Sequence, residues 1–281
     1  MKKIGFIDYF LNEWHADNYP KWIEEASNGE MKVCYAYAYS EPPVGLGKKS
    51  NAEWAKEQGV ELLDTMEELI EKSDFLIVLS PDNPEMHEIL CEKPLQSGKR
   101  TYVDKTFAPD KEAALRIFAN AEAHHTPCYS SSALRFASEL DEVDTDAIYK
   151  LDSEGPGTLE MYSIHQIEPI VRLMKCRAKR LMYLGDKVHP AMIIEFEDGR
   201  FAQIIQRKDS ARSFRITSIN EINEATHYEI HSEFFKLFIK SMIRFFEIGE
   251  IPVSHEQTVD VIAIRETAIR ASEKPFEWVE I

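Results

Sequence analysis

Lys105 and His165 are the two residues of this 281-residue chain whose types and settings are best suited to chemistry. Lys105 sits in Asp104-Lys105-Thr106, directly after the short apolar run Thr101 to Val103. His165 sits in a helix-length stretch, Thr158 to Lys175, that follows Gly155-Pro156-Gly157. An ammonium can hydrogen-bond a substrate oxygen and stabilise the charge that develops on it. An imidazole can hold and return a proton near neutral pH. Either residue alone is unremarkable, because a strand-end lysine is usually a solvated charge and a lone helix histidine is usually structural. The case rests on the elements that must position them.

Lys105 closes a strand–helix–strand pattern. Phe75 to Leu79 is a buried-strand run, stopped by the turn residues Ser80-Pro81-Asp82-Asn83-Pro84. A helix over Glu85 to Gln96 follows, ended by Ser97-Gly98. A unit of this length predicts parallel strands, with ligands outside their carboxyl ends. Upstream, strands are expected at Lys3 to Asp8 and Lys32 to Tyr39, and helices within Glu13 to Ser27 and over Ala52 to Gln58. Thr65 to Glu68 reads as a capping box. Asp110 to His124 reads as an amphipathic helix, with Ala113, Leu115, Ile117, Phe118 and Ala121 apolar, and Pro127 to Ser130 as a strand. The fold class is α/β, with residues 1–130 forming a Rossmann-like, doubly wound parallel sheet. Residues 131–281 predict an α+β domain with a mostly antiparallel sheet. Strands at Arg180 to Leu184, Ala191 to Phe196, Phe201 to Gln206 and Phe214 to Ile219 run together, with a hairpin at Glu197-Asp198-Gly199. Helices around His227 to Ile248 and Glu256 to Ser272 close the chain.

Ser80-Pro81, Asn83, His87, Gly98-Lys99 and Asp104-Lys105-Thr106, with His165 far downstream, resemble the motifs of the glucose–fructose oxidoreductase/inositol dehydrogenase/MocA family. Glu92-Lys93-Pro94 spells the family tripeptide literally but lies inside the helix, so Lys105 is the equivalent lysine. The resemblance implies an NAD- or NADP-dependent oxidoreductase. It would pass hydride between a nicotinamide and a secondary alcohol or ketone of a sugar, cyclitol or related polyol. Lys105 would polarise the substrate oxygen and His165 would act as acid/base. Phe10, Leu11, Ser40, Ser80, Pro81, Asn83, His87 and Asp104 are then expected at the cofactor. Arg135, Tyr162 and Glu168 are expected at the substrate. A homodimer or homotetramer is expected by the same analogy.

Three departures stand against this frame. The turn after the first strand holds no glycine: Asp8, Phe10 and Glu13 stand where a dinucleotide fingerprint has its three. Bulk and two carboxylates occupy the place of a pyrophosphate. His15 resembles the family histidine that follows those glycines, one residue out of step. The second strand ends at Tyr39-Ser40-Glu41 without an arginine, so Lys48 and Lys49 serve a phosphorylated ribose only if their loop folds back. Met161 stands where the family has its catalytic aspartate, so another group must orient His165. Two readings remain: an enzyme with an altered first loop, or a non-catalytic ligand-binding or regulatory homologue that has lost nicotinamide.

Composition narrows the partners. A formal charge of −16 disfavours nucleic acid and anionic membrane, and no apolar run suits a bilayer span. The amino terminus does not read as a signal peptide. The four cysteines form no C-x-x-C pair, which suits a reduced, cytoplasmic setting. His227 and His231 have i, i+4 spacing but no evident third ligand, so no metal is expected.

Overall fold

The structure is a computed structural model that describes residues 1–43, 47–186, 188–207 and 213–281. The chain divides into two compact units: Met1–Ser131 with Phe238–His255, and Ser132–Leu237 with Glu256–Ile281.

In the first unit, strands and helices alternate: β1 (Lys2–Asp8), α1 (Trp14–Ala26), β2 (Met31–Ala38), α2 (Asn51–Gln58), β3 (Glu61–Leu62), α3 (Met66–Lys72), β4 (Phe75–Val78), α4 (His87–Gln96), β5 (Thr101–Val103), α5 (Lys111–Ala123) and β6 (Cys128–Ser130). Among the described residues the sheet order is β3-β2-β1-β4-β5-β6, all pairs parallel. The order reverses between β1 and β4, the switch point at which such sheets open a crevice. The cores of the central strands are apolar, as double coverage requires: Ile4, Phe6, Ile7, Leu76, Ile77 and Val78 are fully buried. Gly5 lets α3 approach β1 closely, since a Cβ there would lie 2.5 Å from Leu69 Cδ2 and Ser73 Oγ.

Two local readings change. Thr65 does cap α3 through the Glu68 amide, but Glu68 turns its carboxylate to Lys72 at 2.9 Å. The reciprocal capping box forms at Ser50 and Glu53 instead. Leu115, expected on the buried face of α5, is half-exposed at 50%.

The second unit holds β7 (Lys150–Pro156), α6 (Leu159–Met174), β8 (Ala178–Tyr183), β9 (Ala191–Phe196), β10 (Phe201–Arg207), β11 (Arg215–Ile219), β12 (Ala225–Glu229) and β13 (Trp278–Glu280). Its sheet runs β12-β11-β7-β10-β9-β8-β13, antiparallel except for β7 with β10. The hairpin at Glu197 to Gly199 is present, with Gly199 at φ 85°. Helix α7 (Phe234–Ile248) starts later than expected, because His227 belongs to β12 and pairs with Thr217. The supposed His227/His231 helical pair therefore does not exist. Helix α8 (His255–Ser272) matches its expected place. From Phe238 onward α7 is part of the first unit: Phe238, Phe245 and Phe246 are fully buried there, against Tyr102, Tyr129 and Phe75.

Candidate functional site

In the first unit the candidates gather at the carboxyl edge of the sheet. Two residues past the end of β4 comes Ser80, whose backbone takes φ 94°, a conformation non-glycine residues rarely adopt. Its hydroxyl donates to the Asn83 carbonyl at 3.2 Å and locks the turn. The half-buried Lys105 leaves the end of β5 and donates from Nζ to the Pro81 carbonyl at 3.1 Å. The strand-end lysine and the Ser-Pro turn are thus in contact. His87 opens α4 but is fully buried. Its ring spans the carbonyls of Leu79 at 2.8 Å and of Thr106 and Phe107 at 3.1 Å. It ties two strand-end loops together, and burial holds its imidazole below the ordinary range.

Asp104 is fully buried and committed to protein partners. One carboxylate oxygen binds His15 Nδ1, and the other accepts from the Tyr102 hydroxyl at 3.1 Å. Burial pushes the Asp104 carboxyl up, but His15 outweighs this and holds it below the usual range. For His15, burial opposes protonation and Asp104 prevails, so its pKa rises. The out-of-step His15 thus meets the acid of the Asp-Lys-Thr segment, and Asp104, expected at the cofactor, is taken up by His15 and Tyr102 instead.

The loop between β1 and α1 is the least conventional part. Glu13 is the N-cap of α1, and its carboxyl oxygens accept from the His15 amide at 2.6 Å and the Ala16 amide at 2.5 Å. Burial, reinforced by Asp8, raises the Glu13 pKa to about 8. Asp8 is 1% exposed, and burial lifts its carboxyl well above the carboxylate range. Its Oδ1 accepts from the Tyr9 amide at 2.6 Å, and its Oδ2 has no partner. Leu11 is fully buried and gives its amide to Asn51 Oδ1 at 2.9 Å. Phe10 lies beneath the Lys48 ammonium, 4.5 Å from the ring centroid, while Lys48 Nζ also reaches the Asn12 carbonyl at 2.8 Å. Lys48 thus lies against the first loop, whereas Lys49 turns to Glu57. Ser40 is partly exposed, and its carbonyl accepts from Asn51 Nδ2 at 2.8 Å.

These residues fit a nicotinamide dinucleotide only in part. The Ser80-to-Asn83 turn and Lys105 line the strand ends where a ligand would lie. The amides at the start of α1, which a glycine-rich turn would offer to a pyrophosphate, are already taken by Glu13.

In the second unit His165 lies on α6, with Nδ1 2.6 Å from Ser132 Oγ. Ser132 thus supplies the orienting contact that Met161 cannot, and Met161 is itself 43% exposed. Nothing in the local sequence marked Ser132, which lies outside the helix that carries His165. Tyr162, three residues before His165, packs its ring against the imidazole at 5.3 Å. Arg135 and Glu168, expected to contact substrate, are buried against each other at 3.1 Å. Arg135 also binds Gln257, and Glu168 accepts from the Ser132 amide at 3.1 Å. Both work as internal supports, because a buried pair satisfied in this way has little capacity left for a ligand. Glu168 thereby holds the segment that presents Ser132 to His165.

Among the described residues no group of three or more His, Cys, Asp or Glu side chains could hold a metal ion. No helix among them is long and apolar enough to cross a membrane.

Neither a family model nor a curated protein matches the sequence. Solved structures do match the fold. A myo-inositol dehydrogenase from Lactobacillus casei, in complex with NAD(H) and myo-inositol, aligns at TM-score 0.82 and 14% identity, over 100% of this chain and 96% of that one. GenD2 from gentamicin A biosynthesis, in complex with NAD, aligns at TM-score 0.82 and 12% identity, over 100% and 96%. A scyllo-inositol dehydrogenase from Lactobacillus casei, with NAD(H) and scyllo-inositol, aligns at 0.79 and 15%, over 99% and 98%. At these identities the likeness is one of fold.

Proposed function

We propose that this chain, which carries the fold of the glucose–fructose oxidoreductase/inositol dehydrogenase/MocA family, is an NAD(P)-dependent oxidoreductase acting on a polyol or sugar-like substrate. The observation that carries the reading is Lys105, a half-buried ammonium at the end of β5 beside the Ser80-Pro81 turn. A nicotinamide, when bound, supplies the hydride acceptor or donor. Lys105 donates a hydrogen bond to the substrate oxygen and stabilises its developing charge. His165, its ring fixed by Ser132, holds the hydroxyl proton. Tyr162 limits the swing of that ring from the same helix face.

The substrate is read as a small polyol because two of the named neighbours are inositol dehydrogenases, and because a lysine–histidine set suits a secondary alcohol. A cytoplasmic setting agrees with four unpaired cysteines. A homodimer or homotetramer belongs to the same proposal. The test is a polyol screen with NAD and NADP, repeated with Lys105→Met. Turnover should fall by at least about a hundredfold with an unchanged melting temperature. Wild-type turnover in that variant would sink the assignment.

A further inference from the structure

We propose that the amino terminus of α1 is a latent diphosphate site, closed in this protein by the carboxyl group of Glu13. The inference rests on the reading that the first unit's crevice accepts a dinucleotide. Helix α1 has 13 residues and starts at the switch point of the sheet, where such helices direct amides at a phosphate. Here Glu13 reaches over its own helix start and accepts from both the His15 and Ala16 amides. It is 8% exposed, so it fills the position rather than skirting it. A phosphate oxygen and this carboxyl cannot bind the same two N–H groups together.

A second carboxyl at the end of β1 adds to this closure and shows that the residues present do not fit a diphosphate. Asp8, at the end of β1, is 1% exposed and leaves Oδ2 without a partner. A buried polar oxygen without a partner is costly, and native structures tolerate few of them. Lys48 places a cation over Phe10 and against the Asn12 carbonyl. The loop thus retains one positive side chain able to meet an anion once Glu13 is removed. A dinucleotide bound by the wild-type protein would carry its diphosphate away from α1 and toward the β4 and β5 turns.

Glu13→Gly and Glu13→Ser separate this inference from a folding defect. Glycine and serine are both tolerated at a helix N-cap, and serine still satisfies one amide. The probes are ADP-ribose and inorganic pyrophosphate, titrated calorimetrically into wild type and both variants, with melting curves as a check on folding. Both variants should bind ADP-ribose at least about tenfold more tightly than wild type, as expected when charge-assisted amide bonds become available. Equal or weaker binding by folded variants overturns the inference, whether or not the wild type binds. Polyol turnover by the wild type with NAD(P) is scored separately. Turnover without a gain in the variants sinks the latent site alone. A gain in the variants without wild-type turnover sinks the oxidoreductase reading alone.

Discussion

At the scale of single residues, Glu13 combines two roles that ordinarily compete. It caps a helix, which favours a charged carboxylate near the helix N-terminus. It is also buried beside Asp8, and those effects win, raising its pKa to about 8. The consequence for stability has a definite sign. Such a carboxyl stays protonated in the folded chain while the unfolded chain has already ionised it. Its contribution is therefore complete below the ordinary value near 4.5 and is lost as pH rises toward about 8. The loss is at most about 5 kcal/mol, since one pKa unit corresponds to about 1.4 kcal/mol. Glu13→Gln should flatten the fall in urea midpoint between pH 5 and 8, with a residual slope from Asp8. An identical pH profile in that variant would show that Glu13 does not titrate in this window. The same scale explains Met161. Where the resemblance leads one to expect an acid, the contact to His165 comes from a serine hydroxyl outside the helix, which adds no charge.

At the scale of elements, the first unit's sheet depends on helices lying close to strands, and one contact is tight enough to test. Helix α3 sits on β1 where Gly5 leaves room, with Leu69 and Ser73 against the backbone. Gly5→Ala inserts a methyl group 2.5 Å from two heavy atoms, so α3 must shift. The expected cost is about 1–3 kcal/mol, the usual range for overpacking. It should appear as a lower melting temperature without loss of helical signal at 20 °C, where 20 °C is roughly the temperature of greatest stability for such domains. An unchanged melting temperature would mean that the helix yields freely. Periodicity identified most of these elements because apolar spacing is local. It missed β7 because Ser153, Gly155 and Pro156 give that strand few of the side chains that mark one. It missed β12 because Ala225, Thr226 and His227 are exposed and carry no apolar alternation.

At the scale of the whole molecule, the first unit is not one continuous stretch of chain. Residues Phe238–His255 return to it and bury Phe238, Phe245 and Phe246 completely. Removing three such rings uncovers apolar area on the order of 150–250 Å² per ring. The fragment Met1–Ser131 alone should therefore bind a hydrophobic dye and melt without a cooperative transition. A fragment that unfolds cooperatively near the melting temperature of the full chain would show that the returning segment is dispensable. The surface charge of −16 acts at this scale as well, working against general electrostatic association with polyanions.

The sequence by itself determined most of the elements of the first unit, the parallel sheet, the mainly antiparallel character of the second sheet and the positions of Lys105 and His165 within them. Each follows from the period of apolar residues and from turn chemistry, which are properties of neighbouring residues. It also showed that the glycines and the family aspartate are missing. Only the tertiary structure decided what took their places. Glu13 turns back onto its own helix, Asp104 is held by His15, Ser132 reaches His165, and Arg135 is paired with Glu168. Three of these four contacts join residues distant in the chain, and the fourth depends on a burial that spacing does not express. Partner choice for a buried polar group is set by which groups folding brings within hydrogen-bond reach, and the sequence records only which groups are available.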